Sequence, residues 1–214
     1  MIQAIVFDMD GVLIEAKDWH YEALNQALRL FGFEISRYDH LTTFDGLPTR
    51  RKLQLLSAEG DLPAELHDFI NEMKQRYTME IVASKCKPRF VHQYALSRLR
   101  AEGYRLAVGS NSIRSTIETM MRQAELVQYL EFMVSNEDVV KAKPDPEMYN
   151  QAIARLQLAP VDVLIVEDNE NGIRAARASG AHVLQVQNVD EVSYFNIARR
   201  IVEYNQLVSV RAAV

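Results

Sequence analysis

Five short apolar runs punctuate the chain: Ile2–Phe7, Tyr104–Gly109, Phe132–Val134, Val163–Val166 and Ala181–Val186. Short continuous runs rich in β-branched and aromatic residues are the pattern of buried strands. Between most of them apolar residues recur at helical spacing. Pro88 is followed by Phe90, Val91, Tyr94, Ala95 and Leu99, with Gly103 as the stop. Ser112 is placed to cap a helix carrying Ile113, Ile117, Met120 and Met121. Asp145-Pro146-Glu147 reads as a cap, a first-turn proline and an acidic first turn, leading into Met148, Ala152, Ile153 and Leu156. Gly172 through Ser179 forms a further helix that ends at Gly180. Strands alternating with helices predict a mostly parallel sheet with right-handed crossovers.

One interval breaks the rhythm. Roughly ninety residues separate the first two strands, far more than a βα connection uses. They are not loop-like. Trp19–Phe31 carries apolar residues at helical spacing and ends at Gly32, and Leu53–Leu56 and Pro63–Met79 follow the same period. The expected organisation is an α/β core domain of residues 1–14 plus 84–214, with a helical domain of residues 15–83 inserted through hinges near Ile14–Asp18 and Val82–Pro88. A lid placed over the strand ends would exclude water from whatever lies there.

Composition narrows the class. A chain of 214 residues with 48% hydrophobic and 25% charged residues is an ordinary soluble globular protein. Net charge of −5 without a basic run argues against a nucleic-acid partner. No apolar stretch approaches the ~18 residues of a membrane span. The N-terminus runs straight into a strand and an acidic turn, so no signal peptide is expected. The single cysteine, Cys86, cannot form an internal disulfide and is read as a surface thiol in a linker. These features predict a cytoplasmic protein, expected as a monomer.

The chemistry sits at the ends of the strands. The first run closes on Asp8-Met9-Asp10-Gly11. Two acids at the end of a buried strand are costly unless they bind a cation or react. The second run ends in Gly109-Ser110-Asn111-Ser112, whose hydroxyls, amide and N–H groups suit a phosphate oxygen. Lys143 follows the third run, in Lys141-Ala142-Lys143-Pro144. The fourth run ends in Glu167-Asp168-Asn169, with Gly172 beyond. Each cluster alone has a plainer reading, as a helix cap or a solvated turn. Together they occupy one edge of one sheet, where open α/β proteins bind ligands. Carboxylates from the first and fourth strands make an all-oxygen set fitting Mg²⁺. Serine and lysine add donors and positive charge, an inventory for phosphoryl transfer.

Asp8-x-Asp10-Gly11, Ser110-Asn111, Lys143-Pro144 and Glu167-Asp168-x-x-x-Gly172-Ile173 resemble the four ordered motifs of the haloacid dehalogenase superfamily. The helical insertion resembles its C1-capped subfamily of β-phosphoglucomutase-like phosphatases. That resemblance implies a Rossmann-like parallel-sheet core with an inserted helical cap. It implies a Mg²⁺-dependent phosphatase hydrolysing a small phosphorylated metabolite, such as a sugar phosphate, through an aspartyl-phosphate. Asp8 would attack phosphorus. Asp10 would exchange protons with the leaving alkoxide and the hydrolytic water, and its backbone carbonyl would bind the metal. Ser110 and Asn111 would hold phosphate oxygens, and Lys143 would offset charge. Asp168 would ligate Mg²⁺, with Glu167 a direct or water-mediated neighbour. Asp10 is absent from the haloalkanoic dehalogenases proper, which places the chain on the phosphoryl-transfer branch.

The cap motif departs from the mutases of that subfamily. In Asp45-Gly46-Leu47-Pro48-Thr49-Arg50-Arg51, Asp45 stands where a basic residue is expected and Thr49 where an arginine is expected. His20 and Arg51 are the candidate cap residues for substrate binding. A sugar-phosphate mutase is the first alternative, which product analysis separates. The second is a non-enzymatic phospho-acceptor or interaction protein. Response-regulator receivers share the acids, hydroxyl and lysine, but their acceptor lies on a middle strand and they lack an insertion.

Overall fold

The strands of the computed structural model are β1 (Ala4–Phe7), β2 (Arg105–Gly109), β3 (Phe132–Val134), β4 (Val163–Glu167) and β5 (His182–Gln185). They form one parallel sheet in the order β3-β2-β1-β4-β5. The helices are α1 (Lys17–Arg29), a single turn α2 (Arg37–Asp39), α3 (Thr49–Gly60), α4 (His67–Lys85), α5 (Phe90–Ala101), α6 (Arg114–Gln123), α7 (Glu147–Leu156), α8 (Glu170–Ala178) and α9 (Tyr194–Ala212). The structure describes residues 1–212. Two units result: Met1–Glu15 with the chain from Lys87 onward, and Ala16–Cys86.

β1 and β4 are buried at every position, which is why both read as unbroken apolar runs rather than alternating ones. α7 packs against β1, β2 and β3, and α8 against β4 and β5. The sheet residues on that face are small or β-branched: Ala4, Val6, Ala107, Val134 and Ile165 meet Met148, Tyr149, Ala152 and Ala176 from the helices. α5 packs on β2 and on α9. Register then fixes the site. Phe7 pairs with Val108 on one side and Val166 on the other, so Asp8 comes level with Gly109 and Glu167. The chain runs from β1 outward through β2 to β3 and then crosses back to β4. β1 and β4 therefore flank the switch point, the expected ligand position of such a sheet.

The unit Ala16–Cys86 has its own core of Leu24, Leu28, Ile35, Phe44, Leu53 and Ile70, with α1 packed on α4. Asn25 is buried inside it. Its side chain both donates to Ile35 O (2.9 Å) and accepts from Ile35 N–H (2.8 Å), fastening the segment after α1.

Several elements differ from the sequence reading. α4 runs on to Lys85, beyond the Met79 limit that its apolar period suggests. α2 and the π-type turn His40–Phe44 have no strong pattern in the sequence. α9 was not anticipated at all: Ile197 and Ile201 are buried, but Phe195 and Val202 are exposed and blur the stripe. Cys86 is buried, not a surface thiol; with a small apolar side chain it fills space as a hydrophobe does. Among the described residues no helix is long and apolar enough to cross a membrane.

Candidate active site

Asp8 extends the β1–β4 ladder by one residue, its N–H donating to Val166 O at 2.9 Å. The chain then turns sharply. Gly11 takes φ +87°, a left-handed conformation that favours glycine. Its N–H donates to Ile14 O (2.7 Å), while the Leu13 and Ile14 N–H groups return to Met9 O. Met9, Val12 and Leu13 are buried, so this loop is anchored by its own apolar residues. Asp10 is carried on it.

Lys143 arrives from the segment between β3 and α7, where the Lys143–Pro144 peptide is cis. That segment is pinned at both ends. Asp138 accepts the N–H and hydroxyl of Ser135, each at 2.7 Å, and is bound by Arg114. Burial acts to raise the Asp138 pKa, but the Ser135 donors and the Arg114 guanidinium win and hold it down to about 2. At the other end the Glu147 carboxylate accepts the N–H groups of Val140 (2.8 Å) and Lys141 (2.9 Å). Asn111 Oδ1 accepts the Lys143 N–H at 3.2 Å.

The Lys143 ammonium spends all three of its protons inside the protein. It donates to Asp8 Oδ1 (2.6 Å), Glu167 Oε1 (2.7 Å) and Gly109 O (2.8 Å). Its side chain is only 3% exposed. Burial lowers its pKa, but the Asp8 and Glu167 carboxylates overcome that and raise it, so the lysine is charged. An ammonium with three converging acceptors acts as a fixed point charge.

Glu167 is equally committed. Oε1 accepts from Lys143 and from the Tyr149 hydroxyl (2.5 Å); Oε2 accepts the N–H groups of Asp168 (3.0 Å) and Asn169 (3.3 Å). The carboxylate lies against the first turn of α8, and Gly172 makes room for it. A Cβ at position 172 would stand 1.7 Å from Glu167 Oε1 and 2.4 Å from Oε2. The four hydrogen bonds prevent that carboxylate from stepping aside. This is why a glycine stands four residues after Asp168.

Asp8, Glu167 and Asp168 each present an oxygen within 4.8 Å of the others. Burial, reinforced by the charges of Glu167, Asp168 and Asp10, pushes the Asp8 carboxyl well up, with the Lys143 ammonium pulling the other way. Three carboxylates this close, with a single ammonium bonded to two of them, carry an excess of negative charge. An oxygen-only donor set with that excess fits a hard divalent cation. The Asp10 carboxylate lies outside this trio and accepts from the Ser112 hydroxyl at 3.1 Å.

Ser112 therefore is not the helix cap that its position suggests. α6 begins at Arg114, and the Arg114 N–H is met instead by Glu137 Oε2 at 2.7 Å. Its hydroxyl, freed from capping, is used on Asp10. Ser110 is buried. Its N–H donates to Val134 O (3.0 Å), and its hydroxyl oxygen accepts the Ser112 N–H (3.1 Å), leaving the hydroxyl proton to donate elsewhere. The cap of α8 falls to Asn169, whose side chain accepts the Asn171 N–H. Neither acid of the Glu167-Asp168 pair is used as a cap.

In the helical unit, His20 is half-buried and its Nδ1 lies 3.2 Å from Lys74 Nζ. Arg51 is exposed and reaches Gln54 Oε1 at 3.4 Å. Asp45 lies 3.9 Å from Lys17. The buried cations of this unit are Lys52 and Lys74, neither of which the sequence singled out. Each is one lysine in an apolar helical pattern, and nothing local distinguishes it from a solvated one.

The site is therefore a phosphoryl-transfer type of centre at the switch point of a parallel sheet, and comparison with known proteins agrees. The family model described as haloacid dehalogenase-like hydrolase matches residues 5–186. The chain belongs to that family, and it is an enzyme of the hydrolase class. A phosphorylated carbohydrates phosphatase of Thermotoga maritima is 28% identical over 182 residues, covering 84% of this chain and 82% of that one. A phosphoglycolate phosphatase of Nitrosospira multiformis is 31% identical over 191 residues, covering 86% and 83%. Among solved structures, β-phosphoglucomutase of Clostridium difficile superposes with a TM-score of 0.83 at 18% identity, covering 98% of this chain and 100% of that one. CbbY of Rhodobacter sphaeroides in complex with phosphate gives 0.79 at 23%, covering 86% of each chain. At these identities the two structures speak for the fold: an α/β core with a parallel five-stranded sheet and an inserted helical cap.

Proposed function

We propose that the protein is a Mg²⁺-dependent phosphatase of small phosphorylated metabolites, acting through an aspartyl-phosphate on Asp8. The observation that carries this reading is the Lys143 ammonium bonded at once to Asp8 and Glu167, beside Asp168, at the carboxyl ends of β1 and β4. Such a lysine keeps a buried carboxylate oriented and offsets charge as a phosphoryl group approaches. The names of the two curated relatives described above support phosphatase chemistry on small phosphate esters.

An Asp8 oxygen attacks phosphorus, the bond to the leaving oxygen breaks, and Asp10 gives that oxygen its proton. Water then attacks the phosphorus of the acyl phosphate and loses its proton to Asp10, and the Asp8 carboxylate leaves. Ser112 holds the Asp10 carboxylate through both steps. Ser110 and Asn111 lie at the end of β2, where the Ser110 hydroxyl proton is available to a phosphate oxygen. Asp8, Asp168 and the Asp10 carbonyl would hold the metal, with Glu167 beside it. Mg²⁺ bound there supplies charge neutralisation for the phosphoryl oxygens. A screen of phosphorylated metabolites tests the reading. Release of inorganic phosphate is expected for some of them, and silence across the panel would refute it.

Metal dependence follows from the oxygen-only cluster. Activity is expected to vanish in EDTA and return with added Mg²⁺. Asp168→Ala is expected to weaken Mg²⁺ binding measured by calorimetry. Full turnover after metal stripping would remove the ion from the account.

Discrimination among esters is assigned to the helical unit, since the strand-end groups bind only what all phosphomonoesters share. His20, in contact with Lys74, is the leading residue, with Arg51 the second candidate. Substitution of His20 by alanine is expected to change relative kcat/KM across a substrate panel more than turnover of acetyl phosphate. A uniform loss would assign it to folding instead. Hydrolysis is favoured over mutase chemistry because Asp45 and Thr49 replace the basic residues expected of sugar-phosphate mutases. Accumulation of an isomer in place of inorganic phosphate would reverse that preference.

A further inference from the structure

Behind the carboxylates stands a residue with no evident role in the chemistry. Tyr149 is completely buried on α7, in the core face that packs against β1 and β2. Its hydroxyl donates to Glu167 Oε1 at 2.5 Å, the oxygen that also takes a Lys143 proton at 2.7 Å. Its ring lies beneath the same ammonium, with Lys143 Nζ 4.6 Å from the centroid. Tyr149 thus touches both partners of the ion pair while being fully buried itself. α7 comes close to Gly109: a Cβ there would stand 3.3 Å from the flexible Met148 side chain and 3.6 Å, an ordinary contact, from Tyr149. Gly109 also supplies the carbonyl that takes the third Lys143 proton.

Resting on the phosphatase reading above, we propose that Tyr149 is a positioning residue that sets Lys143 against Asp8 by tethering Glu167. A glutamate side chain has three rotatable bonds, and Glu167 Oε1 faces a lysine whose stem has four. Side chains of that length keep residual freedom even when hydrogen-bonded. Tyr149 narrows it at Oε1, the one atom that Glu167 shares with the lysine. The hydroxyl gives Oε1 a second donor beside the lysine, and the ring face attracts the ammonium without neutralising it. The Asp168 and Asn169 N–H groups fix Oε2. With all its acceptor positions occupied, Glu167 serves as the fixed base on which Lys143 stands. Direct ligation of a metal by Glu167 would need one of those bonds to break.

The test is a double-mutant cycle. Tyr149→Phe keeps the ring and the volume and deletes only the tether. The expected result is a kcat lower by about tenfold with KM little changed, the lower end of what a hydrogen bond to a charged group is worth. Glu167→Gln keeps the shape of its partner. If Tyr149 acts through Glu167, Tyr149→Phe costs nothing further in the Glu167→Gln background. Equal losses in both backgrounds would mean a packing role and overturn the proposal, as would an unaffected kcat for Tyr149→Phe alone. Tyr149→Leu, which also deletes the ring face, is expected to lose more than Tyr149→Phe; equality of the two would discard the part assigned to the ring. Wild-type turnover in the same assay keeps the two ideas apart. No turnover by the wild type overturns the phosphatase reading and this proposal with it, whereas an active wild type with an unaffected Tyr149→Phe overturns the proposal alone.

Discussion

Asp8→Asn is expected to lower turnover of phosphate esters by roughly 10⁴-fold or more, the scale at which deletion of a nucleophile is felt. The amide has the same shape but no nucleophilic oxygen. The fold is expected to survive, and the direction of the stability change is informative. Burial and three neighbouring carboxylates raise the Asp8 pKa in the folded protein. A raised acid contributes stability that is fully present below its unfolded pKa and is lost as pH rises through the folded value. Without divalent ions, ionisation of Asp8 therefore costs stability. Asp8→Asn is expected to melt at the same temperature as the wild type or higher in metal-free buffer, and added Mg²⁺ is expected to raise its melting point less. Thermal melts with and without EDTA check this. A variant that melts well below the wild type in EDTA would show that Asp8 is structural, and its inactivity would then say nothing about nucleophilic attack.

Lys143→Ala is expected to damage both activity and stability. Removing the ammonium leaves Asp8 and Glu167 as neighbouring buried carboxylates with no cation between them, and Gly109 O without its donor. Breaking a buried ion pair from one side typically costs about 3–5 kcal/mol. For a chain of this size that corresponds to a melting point lower by roughly 6–20 °C. Lys143→Arg is not expected to rescue it, because a planar guanidinium cannot direct its protons to three acceptors converging on one nitrogen position. Divalent cations are expected to restore part of the lost stability by replacing the missing charge, without restoring turnover to the wild-type level. A Lys143→Ala variant as stable as the wild type in EDTA would contradict the coupling of the three groups.

The contrast between Asp8 and Tyr149 shows what was legible in the sequence. Asp8, Asp10, Glu167 and Asp168 stand out because charge at the end of an apolar run violates the local pattern, and the violation is visible in one dimension. The five strands stand out for the same reason, since both faces of β1 and β4 are covered and the runs are unbroken. Tyr149 obeys its local pattern. In Glu147–Leu156 it is one more apolar residue on the inner face of a helix, and only the packing of α7 on a sheet in which β4 lies beside β1 brings its hydroxyl to Glu167. Ser112 misleads for a related reason. A serine two residues before a helix reads as a cap, but Glu137, from the loop after β3, meets the first N–H instead and leaves the serine for Asp10. Lys52 and Lys74 were missed because burial of a single lysine is decided by what packs around it. The four motifs thus marked the reacting groups, while the groups that position them emerged only from packing.

Covalent phosphorylation of Asp8 is the central claim, and borohydride trapping during turnover tests it most directly. The reagent reduces an acyl phosphate to the alcohol, converting a phosphorylated aspartate to homoserine, and peptide mass spectrometry locates the change. With a phosphate-ester substrate and Mg²⁺, homoserine is expected at position 8 alone, and it is expected to be absent when substrate is withheld. An enzyme turning over substrate with aspartate intact at position 8, or with homoserine at position 10 or 168, would contradict the account.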